Sequence, residues 1–430
     1  MSKRNGKMIS RRTFLQSAGV LSTLLFCGCS VNLPIKKAAR TLGGKDLPDS
    51  EYVRQIITAD PSVSRTIMWQ SANEQKLATV TVREKGTIQE RSFSAESEAY
   101  TDDRQKLFLH TAYIDGLKAD TVYEYQLRNQ KETSEWYFLR TAGKGKFKAL
   151  IFPDSQCNDY SVWENNVKLA AKQQPDADFF INMGDLVDNG EDHTQWDAWL
   201  SAVNVLTAQI PFAPVMGNHE TYDKKWQCRF PQAYIKEFAV PANGNKEFDR
   251  CYYSFDWGEV HFVVLNTQWD ELEEFRAGIL DYQKEWLRND ISRTNKRWKV
   301  ALFHKDVLKY AIKNRPERKA GIGEAGMYLV PLLEELGFDL VLTAHLHTYR
   351  NRGHLKAFAS DKSGPVYILT GVAGNIFYSG FWLDHELDKV KAPAPEKGNY
   401  LTLTYEEDHL LVESYLFNGE KFDEIRIKKR

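Results

Sequence analysis

The sequence predicts an all-β sandwich followed by a larger α/β domain. Three observations carry that prediction. Residues 51–142 hold many short alternating stretches, residues from Lys146 onward repeat a strand, loop, helix rhythm, and five of these later strands run directly into Asp, Asn, Gln or His. Composition agrees with a folded chain of two domains: 430 residues are 42% hydrophobic and 27% charged, with only 14 Pro and 26 Gly. A formal net charge of −1 gives no electrostatic grip on a nucleic-acid backbone, so no nucleic-acid partner is expected. Five cysteines, none in a C-x-x-C pair, exclude a disulfide scaffold or a zinc knuckle.

Residues 1–29 read as an address. Lys3, Arg4, Lys7, Arg11 and Arg12 are unopposed by any acid, and the mostly apolar run Phe14–Gly28 is too short to span a bilayer stably. Ser10-Arg11-Arg12-Thr13-Phe14-Leu15 resembles the twin-arginine export motif, and Phe26-Cys27-Gly28-Cys29 resembles a lipobox, so export to the bacterial envelope with lipid anchoring at Cys29 is expected. Removing this segment takes away five positive charges and no negative one, moving the net charge from −1 to about −6. Residues 30–50 are polar and basic and fit a tether. Cys157, Cys228 and Cys251 remain, and Cys228 with Cys251 are near enough in sequence for a loop-spanning bridge.

In 51–142 the short strands include Arg65–Gln70, Ala78–Arg83, Lys106–Leu109 and Tyr123–Leu127. Leu117-Lys118-Ala119-Asp120-Thr121-Val122-Tyr123-Glu124-Tyr125 resembles the corner signature of fibronectin type III domains, with Trp69 as the core tryptophan. From Lys146 to residue 430, helical spacing recurs at Trp163–Lys172, His193–Gln209, Leu280–Arg293 and Glu324–Leu336. Asp384–Gly398 reads as a loop, and Tyr400–Tyr405, Leu410–Phe417 and Phe422–Ile427 as a closing meander.

The five ligand-ending strands are the functional signal. Ala149–Phe152 leads to Asp154 and Gln156, Phe179–Met183 to Gly184-Asp185, and Phe212–Met216 to Gly217-Asn218-His219-Glu220. Val300–Phe303 leads to His304, and Leu340–Thr343 to Ala344-His345-Leu346-His347. Carboxyl ends of strands converge on one crevice in α/β sheets, so these side chains should meet. Charges gathered in so small a volume need a counter-charge, and ligands without thiolate suit Mn, Zn or Fe. There are too many for one ion, but two ions ~3.5–4 Å apart sharing a carboxylate would use them.

These five motifs, in this order and spacing over about 200 residues, resemble the calcineurin-like metallophosphoesterases. The first domain, with Tyr252-Tyr253-Ser254-Phe255-Asp256-Trp257-Gly258, looks more narrowly like bacterial relatives of purple acid phosphatases. The resemblance implies a two-sheet αββα fold. It also implies one metal held by Asp154, Gln156, Asp185 and His347, and another by Asp185, Asn218, His304 and His345, with Asp185 bridging. By the same resemblance, a metal-bridging hydroxide attacks phosphorus, His219 assists the leaving oxygen and Asp188 orients that histidine. The expected substrate is a small phosphate ester, with monoesters favoured. The rivals are a phosphodiesterase or nucleotide hydrolase of the same fold and a metal-binding adhesion protein without turnover.

The sequence also departs from the pattern. Purple acid phosphatases carry a ligand Tyr where Asp188 stands, so their colour is not expected here. Gln156 replaces a frequent His, and Ala344 a usual Gly, which is tolerable if φ is negative there. Lys305, Tyr349, Arg350 and Arg352 flank ligands and are candidates for phosphate or leaving-group contact, while Gly371–Tyr378 and Asp384–Gly398 are candidate pocket walls. His110, His193, His261, His354, His385 and His409 read as packing or surface residues.

Overall fold

A computed structural model describes residues 49–130 and 132–429 of the chain. The export signal of residues 1–29, Cys29 and nearly all of the 30–50 tether lie outside the described residues. No helix among the described residues is long and apolar enough to cross a membrane.

The first domain is a β-sandwich. One layer is built from Glu51–Ile56, Arg65–Ser71, Gln105–Ile114 and Glu96–Asp102, the other from Glu90–Ser94, Thr79–Glu84, Val122–Arg128 and Tyr137–Arg140. Inward residues of both layers, among them Ile67, Trp69, Val80, Val82, Tyr125 and Leu139, make a core of their own. Trp69 is fully buried, stacks on His110 at 5.1 Å and donates from its indole N–H to Gln75 at 2.9 Å. Tyr123 pins the corner, its hydroxyl accepting the Lys118 N–H at 2.9 Å. Four strands, 51–56, 90–94, 96–102 and 137–140, go beyond those read from sequence. Their reason is pairing rather than pattern: Glu90–Ser94 is mostly exposed, and Glu96–Asp102 is held by its seven-residue register on Gln105–Ile114.

The second domain packs two sheets face to face with helices outside. Phe147–Phe152, Phe179–Asn182 and Phe212–Pro214 run parallel, and the strand Asn399–Glu406 of the closing meander joins them antiparallel at Phe147–Phe152. The facing sheet centres on parallel strands Val260–Val264, Trp298–Leu302, Leu340–Thr343 and Val366–Thr370. Aromatics weld the two: Phe179 stacks on Trp257 at 4.5 Å and meets Phe262 edge-on at 5.6 Å. Helices Tyr160–Gln173 and His193–Thr207 cover the first sheet through Trp163 on Phe152 and Trp199 on Phe212. Ile279–Arg293 and Glu324–Glu335 contribute Leu287, Leu329 and Leu333 to the same core.

The domains share a sheet. Ile56 pairs in parallel with Phe212, so the sandwich's first strand extends the row of parallel strands into a ten-stranded sheet. Tyr125 and Gln55 both donate to the Ala208 carbonyl, at 2.8 and 3.1 Å, and Arg54 meets Glu237 at 2.6 Å with neither side chain exposed. None of these contacts has a local sequence signal. The three later cysteines are free, so Cys228 and Cys251 are not bridged.

Candidate active site

Each motif lies where its strand runs out, and the backbone there is bent to aim side chains inward. Asp185, His345 and His347 have φ of 49°, 79° and 50°, a region that non-glycine residues enter at a cost of about 1–3 kcal/mol. Ala344 is not in that region, so a methyl group is accommodated in place of the usual glycine. The loops are tied together by main chain: Ser155 and Gln156 donate their N–H groups to the Asp185 carbonyl at 3.1 and 2.9 Å. His345 N–H lies 3.1 Å from both carboxylate oxygens of Asp154.

The ligand atoms form two clusters that share Asp185. Asp185, His304 and His345 place atoms within 4.8 Å of one another, and so do Asp154, Asp185 and His347. His304 Nε2 is 3.0 Å from Asp185 Oδ2, 3.2 Å from Asn218 Oδ1 and 3.2 Å from His345 Nδ1. His347 Nε2 is 3.7 Å from Asp154 Oδ1. The remote nitrogens are fixed by carbonyls, His304 Nδ1 on Met183 at 3.0 Å and His347 Nδ1 on Ile376 at 2.6 Å, which leaves each Nε2 facing the cluster.

The residues fit a pair of cations. Gln156 is 1% exposed, and its Oε1 has no hydrogen-bond partner, an orphaned donor atom of the kind a metal satisfies. Burial, reinforced by His304, keeps His345 far below the ordinary imidazole range, and burial brings His347 down to about 4. Both are therefore neutral, the form that ligates. Burial, followed by the neighbouring Asp185, pushes Asp154 up to about 7 against the pull of His304. Burial works against the charge on His304, yet Asp185 and Asp154 together raise it to about 9. His304 is thus the only counter-charge inside the ligand set, and it would hold a cation only after giving up its proton.

His219 stands beside this cluster on the short 3-10 turn His219–Thr221. Its N–H donates to Asp185 Oδ1 at 2.9 Å, and its Nδ1 is 2.6 Å from the Asp188 carbonyl. The Asp188 carboxylate is farther, 3.6 Å from Nδ1, so the nearer orienting contact is main chain. Nε2, 4.0 Å from Asp185 Oδ2, is left to act. Burial opposes its charge, but Asp185 and Asp188 raise the His219 pKa overall.

Other candidates are engaged elsewhere. Lys305 pairs with Glu271 at 2.7 Å, Tyr349 donates to Asp423, Arg350 pairs with Asp388 at 3.3 Å and Arg352 with Asp306 at 2.7 Å. Burial pushes the Cys157 thiol up to about 12, it donates to the Ser155 carbonyl, and it belongs to neither ligand cluster. His110 is held between Ser71 and Ser97, and His261 between Asp256 and Asp290. Three neighbours of the site stand outside the expected ligand and catalytic set. Glu220 clamps the loop backbone, Trp226 packs on His219 and Tyr378 on His347. The acid directly after Asn218-His219 was one available signal, and Tyr378 ends the expected pocket wall Gly371–Tyr378; Trp226 had none.

Comparison with known proteins agrees with this geometry. Residues 147–349 match the model of the calcineurin-like phosphoesterase family, and residues 50–141 that of the purple acid phosphatase N-terminal domain. Probable purple acid phosphatase 20 of Arabidopsis thaliana is 27% identical over 310 residues, 71% of this chain and 68% of that one. Purple acid phosphatase 23 of the same plant is 32% identical over 185 residues, which span 42% of this chain and only 38% of the relative. The structure of purple acid phosphatase PPD1 from yellow lupin (Lupinus luteus) seeds superposes with a TM-score of 0.72 over 88% of this chain and 74% of that one, at 17% identity. PhoD gives 0.61 over 90% and 94%, at 13% identity.

The chain has the fold and domains of a metal-dependent phosphoester hydrolase of the calcineurin-like class. Within that class its β-sandwich and catalytic domain together make it purple-acid-phosphatase-like.

Proposed function

We propose that this protein is an exported, membrane-tethered phosphomonoesterase that works with two metal ions. The observation that carries the reading is the pair of ligand clusters sharing Asp185, with His219 Nε2 held 4.0 Å from the shared carboxylate. Asp154, Gln156, Asp185 and His347 would hold one ion, and Asp185, Asn218, His304 and His345 the other. Such a pair supplies Lewis acidity toward phosphoryl oxygens and acidifies water to near neutral pKa. Everything else is the work of the chain. Asp185, fixed through the His219 N–H, keeps the two clusters in register, and Gln156 contributes a neutral donor that keeps net charge at the site low. Because Nδ1 of His219 is committed to the Asp188 carbonyl, a proton on Nε2 is directed at the leaving oxygen of the ester. Export and anchoring at Cys29 rest on the twin-arginine and lipobox resemblances.

The test is hydrolysis of p-nitrophenyl phosphate against bis(p-nitrophenyl) phosphate, with Mn²⁺, Zn²⁺ or Fe, beside Asp185→Asn and His219→Ala. The monoester should be preferred, and both variants should lose at least ~10²-fold in kcat, about 2.7 kcal/mol of barrier. A preference for the diester would reassign the subclass, and metal binding without turnover would sink the enzyme reading. Fractionation of cells carrying Cys29→Ser tests the anchor: release from the membrane is expected, and retention would oppose it.

A further inference from the structure

Trp226 sits in a place no packing need explains. Its backbone has φ 61°, a conformation seldom adopted by a bulky side chain, and its side chain remains 51% exposed. The turn that imposes this is firmly built: the Trp226 N–H reaches the Asp223 carbonyl at 2.8 Å, and the N–H groups of Lys225 and Gln227 both reach Asp223 Oδ1 at 2.8 Å. Buried aromatics normally justify such strain by the surface they remove from water, whereas this indole gains little in that way. What it does contact includes the proposed proton donor: its ring is 5.7 Å from that of His219, at 87°, and 6.0 Å from Tyr222. Strained backbone and a large exposed aromatic beside a reacting group point to function.

A second exposed aromatic flanks the other side of the ligand set. Tyr378, 38% exposed, lies 4.7 Å from the His347 ring. It is backed edge-on by Trp382, whose indole N–H is fixed at 2.8 Å to the carbonyl of Leu346, the residue between the ligands His345 and His347. The platform is therefore built into the metal loop itself. His219 Nε2 lies 4.0 Å from Asp185, and His347 clusters with Asp154 and that same Asp185, so Trp226 and Tyr378 belong to one rim around the shared carboxylate.

Resting on the phosphoester-hydrolase reading above, we propose that Trp226 and Tyr378 are specificity-determining residues that stack on a planar aromatic group carried by the alcohol part of the substrate. π-faces stack without regard to ring substituents, so the rim selects a class of ester rather than one compound. An aryl phosphate carries its ring on the ester oxygen, and a nucleoside monophosphate carries it beyond a sugar; both have the shared chemistry.

The experiment measures kcat/KM of the metal-loaded full chain for phenyl phosphate, adenosine 5′-monophosphate and glycerol 3-phosphate, with Trp226→Ala, Trp226→Phe, Trp226→Gly and Tyr378→Ala. Comparing each variant with wild type on the same ester cancels intrinsic leaving-group reactivity. Trp226→Ala should lose about 10-fold on at least one aromatic ester and stay within about 2-fold on glycerol 3-phosphate, and Trp226→Phe should restore most of the loss. A loss confined to phenyl phosphate puts the ring next to the ester oxygen; one confined to the nucleotide puts it beyond the sugar. Trp226→Gly suits the left-handed backbone, so it should be at least as stable as wild type while losing the same preference. Equal changes on all three esters, or none, would overturn the proposal while leaving the phosphatase reading intact. Should no ester be turned over, the hydrolase reading fails, and calorimetric titration with adenosine decides the rim separately: binding lost in Trp226→Ala supports it, and no binding to wild type overturns it.

Discussion

Glu220 Oε2 accepts the backbone N–H of Asp185 at 3.0 Å, so the acid that ends one motif holds the loop that carries the shared ligand of the motif before it. The same oxygen accepts Gly217 N–H at 2.7 Å, and Oε1 accepts Leu186 N–H at 2.8 Å. Because these backbone donors, with Val187 N–H also on Oε1 at 3.4 Å, fall on both oxygens, the amide of Glu220→Gln has to turn its NH₂ toward at least one backbone N–H. We expect Glu220→Gln to lose about 2–4 kcal/mol of stability and to weaken metal binding. Urea denaturation and metal titration check this; unchanged stability would show that the clamp is dispensable.

Gly217 is where no side chain fits. A Cβ there would lie 2.1 Å from Asp185 Oδ1 and 2.2 Å from Asp185 N, both closer than contact allows. Gly217→Ala is expected to push Asp185 out of register and bind fewer than two metal ions per chain, as read by elemental analysis after dialysis. Gly145→Ala, whose Cβ would meet nothing within 4 Å, is the control expected to match wild type.

The Arg54–Glu237 pair joins the first strand of the sandwich to the helix Gln232–Glu237 with both side chains fully buried. Arg54→Met alone should cost about 3–5 kcal/mol, because it strands a carboxylate in the interior. Arg54→Met with Glu237→Met should recover most of that loss. A double variant as unstable as the single one would mean that the pair itself, rather than the orphaned charge, sets the cost; denaturation midpoints decide.

His261 gives a pH signature away from the metal site. Burial disfavours its charge, yet hydrogen bonds to Asp256 at 2.7 Å and Asp290 at 3.0 Å raise its pKa to about 9 from an unfolded value of 6.5. The folded state therefore holds the proton more tightly. The resulting stabilisation, at most about 3 kcal/mol, is complete below pH 6.5 and disappears as pH rises through 9. The difference in melting temperature between wild type and His261→Gln should be largest near pH 6 and shrink by pH 10. A constant difference would contradict the raised pKa.

The sandwich strands with alternating pattern, the four long helices and the five motifs at strand ends were legible because each is a local pattern: a period of two, a period near 3.6, or a polar residue ending an apolar run. The N-terminal end of the helix read from Trp163 lies earlier, at Tyr160, because Asp159 caps it. Exposed strands such as Glu90–Ser94 were not legible, since only a partner strand defines them. The identities of Asp154, Asp185, Asn218, His304, His345 and His347 were likewise readable, and the rule that strand ends converge was enough to expect them together.

By itself, then, the sequence determined the two kinds of domain and the residues that crowd at one crevice, because strand periodicity and residue chemistry are written locally. Tertiary structure alone decided that Ile56 and Phe212 fuse the domains into one sheet and that Glu220 braces Asp185. It also decided that the Asp188 carbonyl lies nearer than its carboxylate to His219 Nδ1, that Arg350 and Arg352 face buried acids, and that Trp226 packs beside His219. Those outcomes depend on backbone direction and on distances across the folded chain, which no local pattern fixes.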